Sequence, residues 1–198
     1  MIAAAFRSRP LWLLLLSLSL LTLIGALAPI NDWLEFRRVQ WQAGQLWRPL
    51  TAWMAQLNLT HWLINQWGLI LLALVMPPRP TRADALAFAW VWLFASVMLV
   101  FSSYWQYAGL SGLLYGWLVW AVIRSPYYQL WLRWLVALVL TAKVVQENLP
   151  GDHGSELVGN WIAANIAVES HAWGLLAGWI ALAIAWLWLR FGRSRLTP

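Results

Sequence analysis

The feature that most constrains this sequence is its succession of long apolar segments. Six of them can be recognised, and each contains few charged residues. They cover residues 10–28, 51–75, 84–102, 110–123, 127–146 and 167–190. A helix needs about 20 mostly apolar residues to cross the hydrocarbon core of a bilayer. The sequence therefore predicts an all-α membrane protein with six transmembrane helices, in a single domain over residues 1–198.

The composition supports a membrane protein and excludes several other classes. Hydrophobic residues make up 62% of the chain and charged residues 10%, whereas soluble domains have about 45–50% and about 25%. The net charge of +6 comes from arginines that flank apolar segments, which indicates membrane topology rather than nucleic-acid binding. The chain has no cysteine, so disulfides and thiolate sites are excluded. Many of its 19 tryptophans lie near segment ends, as in an interfacial aromatic belt.

The first segment has two interpretations. Arg7 and Arg9 precede an apolar run, and the run ends in the small-residue pattern Ala-Leu-Ala at residues 26–28, which resembles a signal-peptide cleavage site. Pro29 follows directly and disfavours cleavage there. We therefore expect the segment to remain as a membrane anchor.

The arginines between the segments are distributed unevenly between the two sides of the predicted membrane. One side receives eight of them and the other receives three, close to acidic residues. Because cytoplasmic loops carry an excess of Lys and Arg, this asymmetry predicts that both termini are cytoplasmic. The eight are Arg7, Arg9, Arg79, Arg82, Arg124, Arg190, Arg193 and Arg195, and the three are Arg37, Arg38 and Arg48. The second, fourth and sixth segments then all run from the outer face to the inner face.

Four polar residues are predicted to lie inside the membrane on these three segments. His61 and Asn65 are four residues apart and share one face of the second helix. Ser111 begins the fourth segment, and His171 begins the sixth. Because polar groups in hydrocarbon are costly, such residues usually mark functional sites. We expect the four side chains to meet in one pocket that opens to the outer face.

The fourth segment is too short to cross a membrane on its own. Its 14 residues give about 21 Å of helix, against about 30 Å of hydrocarbon. The preceding stretch SSYWQYAG, residues 102–109, is therefore expected to dip into the membrane without regular structure, buried in protein or lining water. Ser111 then lies at a helix N-terminus, where free backbone N–H groups can stabilise an oxyanion.

Glycine spacing predicts how the fourth and sixth helices pack. Each contains two glycines four residues apart, a spacing that lets helix backbones approach closely. The pairs are Gly112 with Gly116 and Gly174 with Gly178. Such packing would bring His171 against Ser111, where an imidazole can serve as general base for a serine. Tyr115, one turn below Ser111, is expected to pack under the imidazole.

These residues also have simpler interpretations. A serine in a membrane helix commonly packs or bonds to its own backbone, and a lone intramembrane histidine can relay protons or bind metal. The three histidines lack a carboxylate at ligand spacing, and no HExxH motif is present, so no metal site is predicted. A small transporter would need polar residues along a whole pathway, whereas here they cluster in the outer half.

Taken in order, four motifs resemble the rhomboid family of intramembrane serine proteases. They are LWR at residues 46–48, HWLIN at 61–65, GLSGLLY at 109–115 and HAWGLLAG at 171–178. The resemblance spans all six segments and implies a rhomboid-like bundle with a short buried fourth helix. It places Trp47 and Arg48 in the family's Trp-Arg loop motif, just before the second segment.

The resemblance also implies a role for each site residue. Rhomboids use a Ser–His dyad without an acid, so Ser111 is expected to be the nucleophile and His171 the general base and acid. The oxyanion hole would consist of His61, Asn65 and the backbone N–H of Ser111, and Gly109 would shape the loop that feeds it. The dyad leaves no role for Glu169, which we interpret as an outer-surface charge. Gln56 stands where many rhomboids carry another histidine.

A narrower resemblance concerns the end of the fifth segment. The stretch AKVVQENLPG, with Lys143 and Glu147 four residues apart, is similar to the rhombosortase subfamily. The simpler interpretation of Lys143 and Glu147 is an ion pair at the outer interface. The polar loop that follows Glu147 contains three glycines, and we expect it to cover the cavity or admit substrate, with His153 solvated.

The resemblance implies an activity, a location and partners. The protein would sit in a bacterial inner membrane, open to the periplasmic side, without cofactor, metal or nucleic acid. Its substrates would be membrane-anchored proteins with a C-terminal helix and a glycine-rich GlyGly-type sorting tail. Two alternatives stay open: a general rhomboid protease for single-span proteins, and a non-catalytic rhomboid-like binding protein.

Overall fold

Helices take up 74% of the chain in a computed structural model of the protein, which describes residues 9–77, 79–150, 159–161 and 166–191. The fold is therefore all-α. Its helices and two short strands are α1 (Arg9–Ile24), α2 (Ile30–Leu34), β1 (Phe36–Arg37), α3 (Arg38–Gln42), α4 (Arg48–Thr51), α5 (Leu59–Val75), α6 (Arg82–Phe101), β2 (Gln106–Tyr107), α7 (Ser111–Arg124), α8 (Leu130–Glu147) and α9 (Val168–Phe191).

The bounds of the long helices agree with the predicted segments to within four residues, except at the second segment. Its predicted start at residue 51 is wrong, because α5 begins only at Leu59. The side chain of Asn58 accepts a hydrogen bond from the backbone N–H of His61 at 2.9 Å and caps the helix there. An apolar run does not reveal such a cap, since the loop before it is equally apolar.

Two helices in the described part of the chain, α6 and α9, are long and apolar enough to cross a membrane. Shorter apolar helices accompany them, at Leu11–Ile24, Leu59–Val75 and Ser111–Arg124. Length and composition thus identify two spanning candidates, fewer than the six predicted segments.

The short helix α7 lies at the centre of the fold. Ten of its 14 residues are buried, and α5, α6, α8 and α9 all pack against it. A helix that is apolar all round is stable only when other elements surround it. The surrounding helices provide that cover, so both ends of α7 are held within the protein.

Helices α7 and α9 touch through their backbones. A Cβ atom added at Gly174 would lie 1.7 Å from the carbonyl oxygen of Gly112, and one at Gly116 would lie 2.2 Å from the carbonyl oxygen of Gly174. One at Gly178 would lie 2.5 Å from the carbonyl oxygen of Gly116. Any larger side chain would force the helices apart. The predicted close approach of these two helices is therefore confirmed.

The chain before α7 is mostly irregular, as expected, but it contains a short strand that the sequence analysis did not predict. Residues of β2 pair antiparallel with β1, with Phe36 opposite Tyr107 and Arg37 opposite Gln106. Gln106 also donates from Nε2 to Oε2 of the buried Glu35 at 2.7 Å. These bonds tie the first loop of the protein to the segment that leads into Ser111.

At the opposite end of α7, a buried carboxylate is surrounded by donors. Asp84 Oδ2 accepts from the backbone N–H and the hydroxyl of Thr81, both at 2.7 Å. Asp84 Oδ1 accepts from Nε1 of Trp120 at 2.9 Å and from Nε of Arg124 at 3.4 Å. The Thr81 hydroxyl in turn caps the start of α6. This cluster joins α6 to the end of α7.

Some predictions concern residues outside the described part of the chain. They include the arginines Arg7, Arg193 and Arg195, which count toward the predicted orientation, and the loop residue His153.

Candidate active site

Ser111 and His171 are brought together by the contact between α7 and α9. Ser111 is the first residue of α7, and His171 lies in the first turn of α9. Their side chains meet at 2.9 Å, measured from Ser111 Oγ to His171 Nε2. This is hydrogen-bond distance for a hydroxyl and an imidazole that share a proton. Because Ser111 begins a helix, its own backbone N–H has no acceptor within that helix. The N–H groups of Leu113 and Leu114, in contrast, donate to the carbonyl oxygen of Leu110 at 3.0 and 3.2 Å.

Tyr115 packs against the imidazole, as its position one turn below Ser111 predicts. The ring centroids of Tyr115 and His171 are 4.6 Å apart, at an interplanar angle of 41°. An aromatic pair at this distance restricts the rotation of both rings. Tyr115 therefore helps to hold Nε2 toward Ser111.

A carboxylate occupies the other side of the imidazole. Oε2 of Glu147 lies 2.9 Å from Nδ1 of His171, and the two side chains are only 8% and 7% exposed. The expectation of a Ser–His pair without an acid is therefore wrong for this geometry. The expected ion pair between Lys143 and Glu147 is present, and Glu147 contacts His171 in addition. Glu169 is exposed, as expected of a surface charge.

Lys143 lies beside the same carboxylate. Its Nζ contacts Oε1 of Glu147, one turn further along α8, and sits 5.5 Å from the ring centroid of Tyr115. Its side chain is 54% exposed. Lys143 therefore reaches His171 only through two neighbours, the Glu147 carboxylate and the Tyr115 ring.

His61 presents its Nε2 side to the loop before Ser111. The backbone N–H of Leu57 lies 3.4 Å from Nδ1 of His61 and donates to it, so the neutral ring carries its proton on Nε2. A Cβ at Gly109 would lie 2.8 Å from Cε1 and 3.2 Å from Nε2 of His61. Gly109 also has a φ of +149°, which L residues rarely adopt. Glycine at this position thus allows both the turn and the approach of the imidazole.

Asn65 is buried one turn below His61 and is oriented by Gln56. Nδ2 of Asn65 donates to Oε1 of Gln56 at 2.7 Å. An amide nitrogen carries two hydrogens, so the second one is available to a group in the cavity. Gln56 is fully buried, and its backbone carbonyl accepts from the side chain of Asn31. Gln56 therefore supports Asn65 from behind.

Tyr107 holds the loop between β2 and α7. Its hydroxyl donates to the carbonyl oxygen of Gly109 at 3.0 Å and accepts from Oγ of Ser170 at 3.1 Å. Its ring packs on the fully buried Trp53, with centroids 4.8 Å apart. These contacts orient the chain that enters α7 at Ser111.

Most of the polar side chains described above, though not that of Gln56, line one cavity of about 440 Å³. Its wall includes His61, Asn65, Ser111 and His171. The cavity therefore contains a hydroxyl, an imidazole and several N–H donors, and it is large enough for a short extended peptide segment. The predicted convergence of the four residues into one pocket is confirmed as geometry.

Trp47 and Arg48 lie apart from this cavity. The buried Arg48 donates from Nη1 to the carbonyl oxygens of Asp32 and Glu35 at 2.9 and 2.6 Å. Trp47 stacks on Trp33 with ring centroids 6.1 Å apart. Trp47 and Arg48 thus stabilise the first loop. The pairing of β1 with β2 connects that loop to the segment before Ser111.

Three site residues escaped the sequence analysis in their present roles: Tyr107, Gln56 and Glu147. For Glu147 a signal was available, because the fifth segment ends shortly before the sixth begins, so consecutive antiparallel helices bring these two ends to the same side of the bundle. A carboxylate there lies near His171 in any antiparallel packing of those helices. Nothing comparable indicated Tyr107, whose contacts depend on the strand pairing.

No family model, curated protein or solved structure matches this chain. The class of site is therefore defined by its geometry alone. A serine hydroxyl, an imidazole and a carboxylate lie in line, beside a helix N-terminus and two further N–H donors. Such an arrangement activates a hydroxyl for attack on a carbonyl.

Proposed function

We propose that this protein is an intramembrane serine protease of the rhomboid type. The observation that carries the proposal is the 2.9 Å contact between Ser111 Oγ and His171 Nε2, at a helix N-terminus that lines a cavity. The ordered motifs around these residues support the same class.

The proposal includes a topology. Six helices cross a bacterial inner membrane, both termini lie in the cytoplasm, and the cavity opens toward the periplasm. The distribution of arginines supports this orientation. The central position of α7 supports the location in a membrane, because a helix of 14 residues within a membrane needs protein on all sides.

In the first half of the proposed reaction, Ser111 attacks the carbonyl carbon of a peptide bond. The proton of the hydroxyl moves to Nε2 of His171 as the new C–O bond forms. Nε2–H of His61, Nδ2 of Asn65 and the backbone N–H of Ser111 donate to the developing oxyanion. The imidazolium then gives the proton to the leaving amine, the C–N bond breaks, and an acyl-enzyme remains.

In the second half, water from the outer side attacks the acyl-enzyme. His171 takes a proton from the water and returns it to Ser111 Oγ as the ester bond breaks. The products are a new carboxyl terminus and the released C-terminal fragment. The enzyme ends in its starting protonation state.

We propose membrane-anchored proteins with a glycine-rich C-terminal sorting tail as the substrates, as in rhombosortases. The similarity of the stretch AKVVQENLPG to that subfamily supports this substrate class. A substrate helix must unwind to present a carbonyl to Ser111, and glycines make that unwinding less costly.

The proposal is tested by co-expression of this protein in bacterial membranes with a tagged substrate. The substrate ends in a glycine-rich motif, an apolar helix and several arginines. We expect the wild type to remove the tail and the Ser111→Ala variant to leave it intact. Equal processing by both proteins would overturn the proposal.

A second readout does not depend on the substrate. A fluorophosphonate probe forms a covalent bond to an activated serine, so we expect it to label the wild type and not Ser111→Ala. Ser125→Ala is the matched control, since Ser125 is a buried serine just beyond the other end of α7. Labelling of Ser111→Ala at the wild-type rate would contradict the assignment of the nucleophile.

A further inference from the structure

Glu147 and His171 meet where two helix ends are joined. Glu147 is the last residue of α8, and His171 lies in the first turn of α9. Nδ2 of Asn148 donates to the carbonyl oxygen of Val168 at 3.2 Å and fastens the end of α8 to the start of α9. This second contact between the two helix ends helps to hold the carboxylate against the imidazole.

Each of these two positions is electrostatically unfavourable on its own. The N-terminus of a helix carries a partial positive charge, which disfavours an imidazolium on His171. The C-terminus carries a partial negative charge, which disfavours a carboxylate on Glu147. Burial adds a further cost for a charge that lacks a partner. Pairing the two groups offsets these costs, and it does so beside Ser111.

We propose that Glu147 is a positioning residue for the Ser111–His171 chemistry and that Lys143 fixes Glu147. This inference rests on the proposed protease function and adds an acidic third member to it. Nδ1–H of His171 donates to Oε2 of Glu147, which leaves Nε2 unprotonated and facing Ser111 Oγ. When the Ser111 proton moves to Nε2, the carboxylate stabilises the imidazolium. No proton passes to Glu147.

Lys143 sets how strongly that carboxylate acts. It binds Oε1, the oxygen that His171 does not use. Its positive charge opposes the formation of an imidazolium, while its contact with Glu147 keeps the carboxylate in place. Removing Lys143 should therefore have the opposite electrostatic effect to removing the charge of Glu147.

Other titratable groups near His171 are accounted for. In the described part of the chain, those that line the cavity with it or pack on it are Tyr115 from α7, Lys143 and Glu147 from α8, His61 from α5 and Tyr107 from β2. Glu169, two residues away on α9, is exposed.

The experiment compares full-length Glu147→Gln and Lys143→Met proteins with the wild type, with Glu169→Gln as the matched control. Fluorophosphonate labelling of Ser111 and cleavage of the tagged substrate are measured between pH 5 and 9. We expect Glu147→Gln to lower the labelling rate and kcat on the order of 10²-fold, with KM nearly unchanged. Glu147→Asp should recover part of the rate.

The pH dependence distinguishes positioning from a merely structural role. In Glu147→Gln, the pH at which the rate falls to half of its plateau on the acidic side should shift lower, because the negative charge beside the imidazole is gone. In Lys143→Met it should shift higher. Glu169→Gln should leave it in place, because Glu169 does not contact the imidazole.

The outcomes separate this inference from the proposed function. If the wild type neither binds the probe nor cleaves the substrate, the proposed function fails. If the wild type is active and Glu147→Gln keeps its rate and its pH dependence, the positioning role alone is overturned.

If Glu147→Gln fails to fold, two other measurements still test the positioning role of Glu147. The absence of the upward shift in Lys143→Met overturns the inference. The chain has three histidines, so ¹⁵N NMR can assign the His171 ring, and a wild-type resting ring protonated on Nε2 instead of Nδ1 also overturns it.

Discussion

Two carboxylates with buried side chains, Asp84 and Glu147, lie in contrasting surroundings. Asp84 is 3% exposed and accepts from four donors of Thr81, Trp120 and Arg124. Glu147 has two partners, Lys143 and His171, and lines the cavity. One carboxylate is saturated and enclosed, while the other has spare acceptor capacity beside a titratable ring.

This difference in hydrogen-bond partners separates a carboxylate that stabilises the fold from one that can take part in the chemistry of the site. A buried carboxylate with all of its acceptor sites filled joins the elements that supply the donors, here α6 and α7. A buried carboxylate whose main partner is an imidazole can respond when that imidazole gains a proton. Burial alone did not distinguish them, but the number and kind of donors did.

The largest expected effect is the loss of activity when the imidazole beside Glu147 is removed. His171→Ala should abolish cleavage, because Ser111 loses the base that accepts its proton and Glu147 loses its partner. We expect activity to fall to background in the co-expression assay. Arg124→Ala, which removes a partner of Asp84, should keep activity. Full cleavage by His171→Ala would remove the histidine from the mechanism.

The second largest effect concerns the oxyanion donors, which lie in the same cavity as Glu147. Asn65→Ala should lower kcat by about 10²-fold, as expected for loss of one oxyanion donor. Steady-state kinetics with the tagged substrate measure it, and the melting temperature serves as the control for folding. An unchanged kcat would exclude Asn65 from the oxyanion hole.

For the other carboxylate, Asp84, the expected effect is on the stability of the fold. Asp84→Asn puts an amide N–H₂ where donors now point, and it should lower the free energy of unfolding by about 1–3 kcal/mol. Thermal unfolding in detergent micelles checks this, and the fluorophosphonate labelling rate at low temperature should stay near that of the wild type. A large loss of labelling with unchanged stability would contradict the structural role.

The smallest effect sharpens the contrast within the site. Gln56→Leu removes the acceptor that orients Asn65 but leaves Asn65 itself, so the rate should fall by no more than about 10-fold. The substitution leaves Nδ2 of Asn65 without its acceptor, but it also removes Nε2 of Gln56, which is buried without a hydrogen-bond partner among the described residues, so the two effects on stability should largely cancel. A melting temperature far below that of the wild type would contradict this account.

The helices and the meeting of Ser111 with His171 could be predicted because they depend on local patterns. Apolar length predicts helices, and glycines four residues apart predict that two helices touch. The start of α5 could not be predicted in this way, because it depends on a single cap at Asn58.

The role of Glu147 was harder to predict because it depends on how deeply the side chain is buried. An ion pair four residues apart on a helix is usually solvated and worth little, and the pattern of Lys143 and Glu147 fits that description. Only the packing of α8 on α9 turns Glu147 inward. The roles of Tyr107 and Gln56 depend likewise on tertiary contacts that have no periodic signal.

The glycine contact between α7 and α9 also bears on the entropy of the proposed reaction. Backbone atoms have no rotamers, so helices that touch through glycines lose no side-chain conformational freedom in keeping their distance. Ser111 begins α7, and His171 lies in the first turn of α9. The alignment of their reacting atoms is thus settled when the chain folds, and little disorder is left to remove each time a substrate arrives.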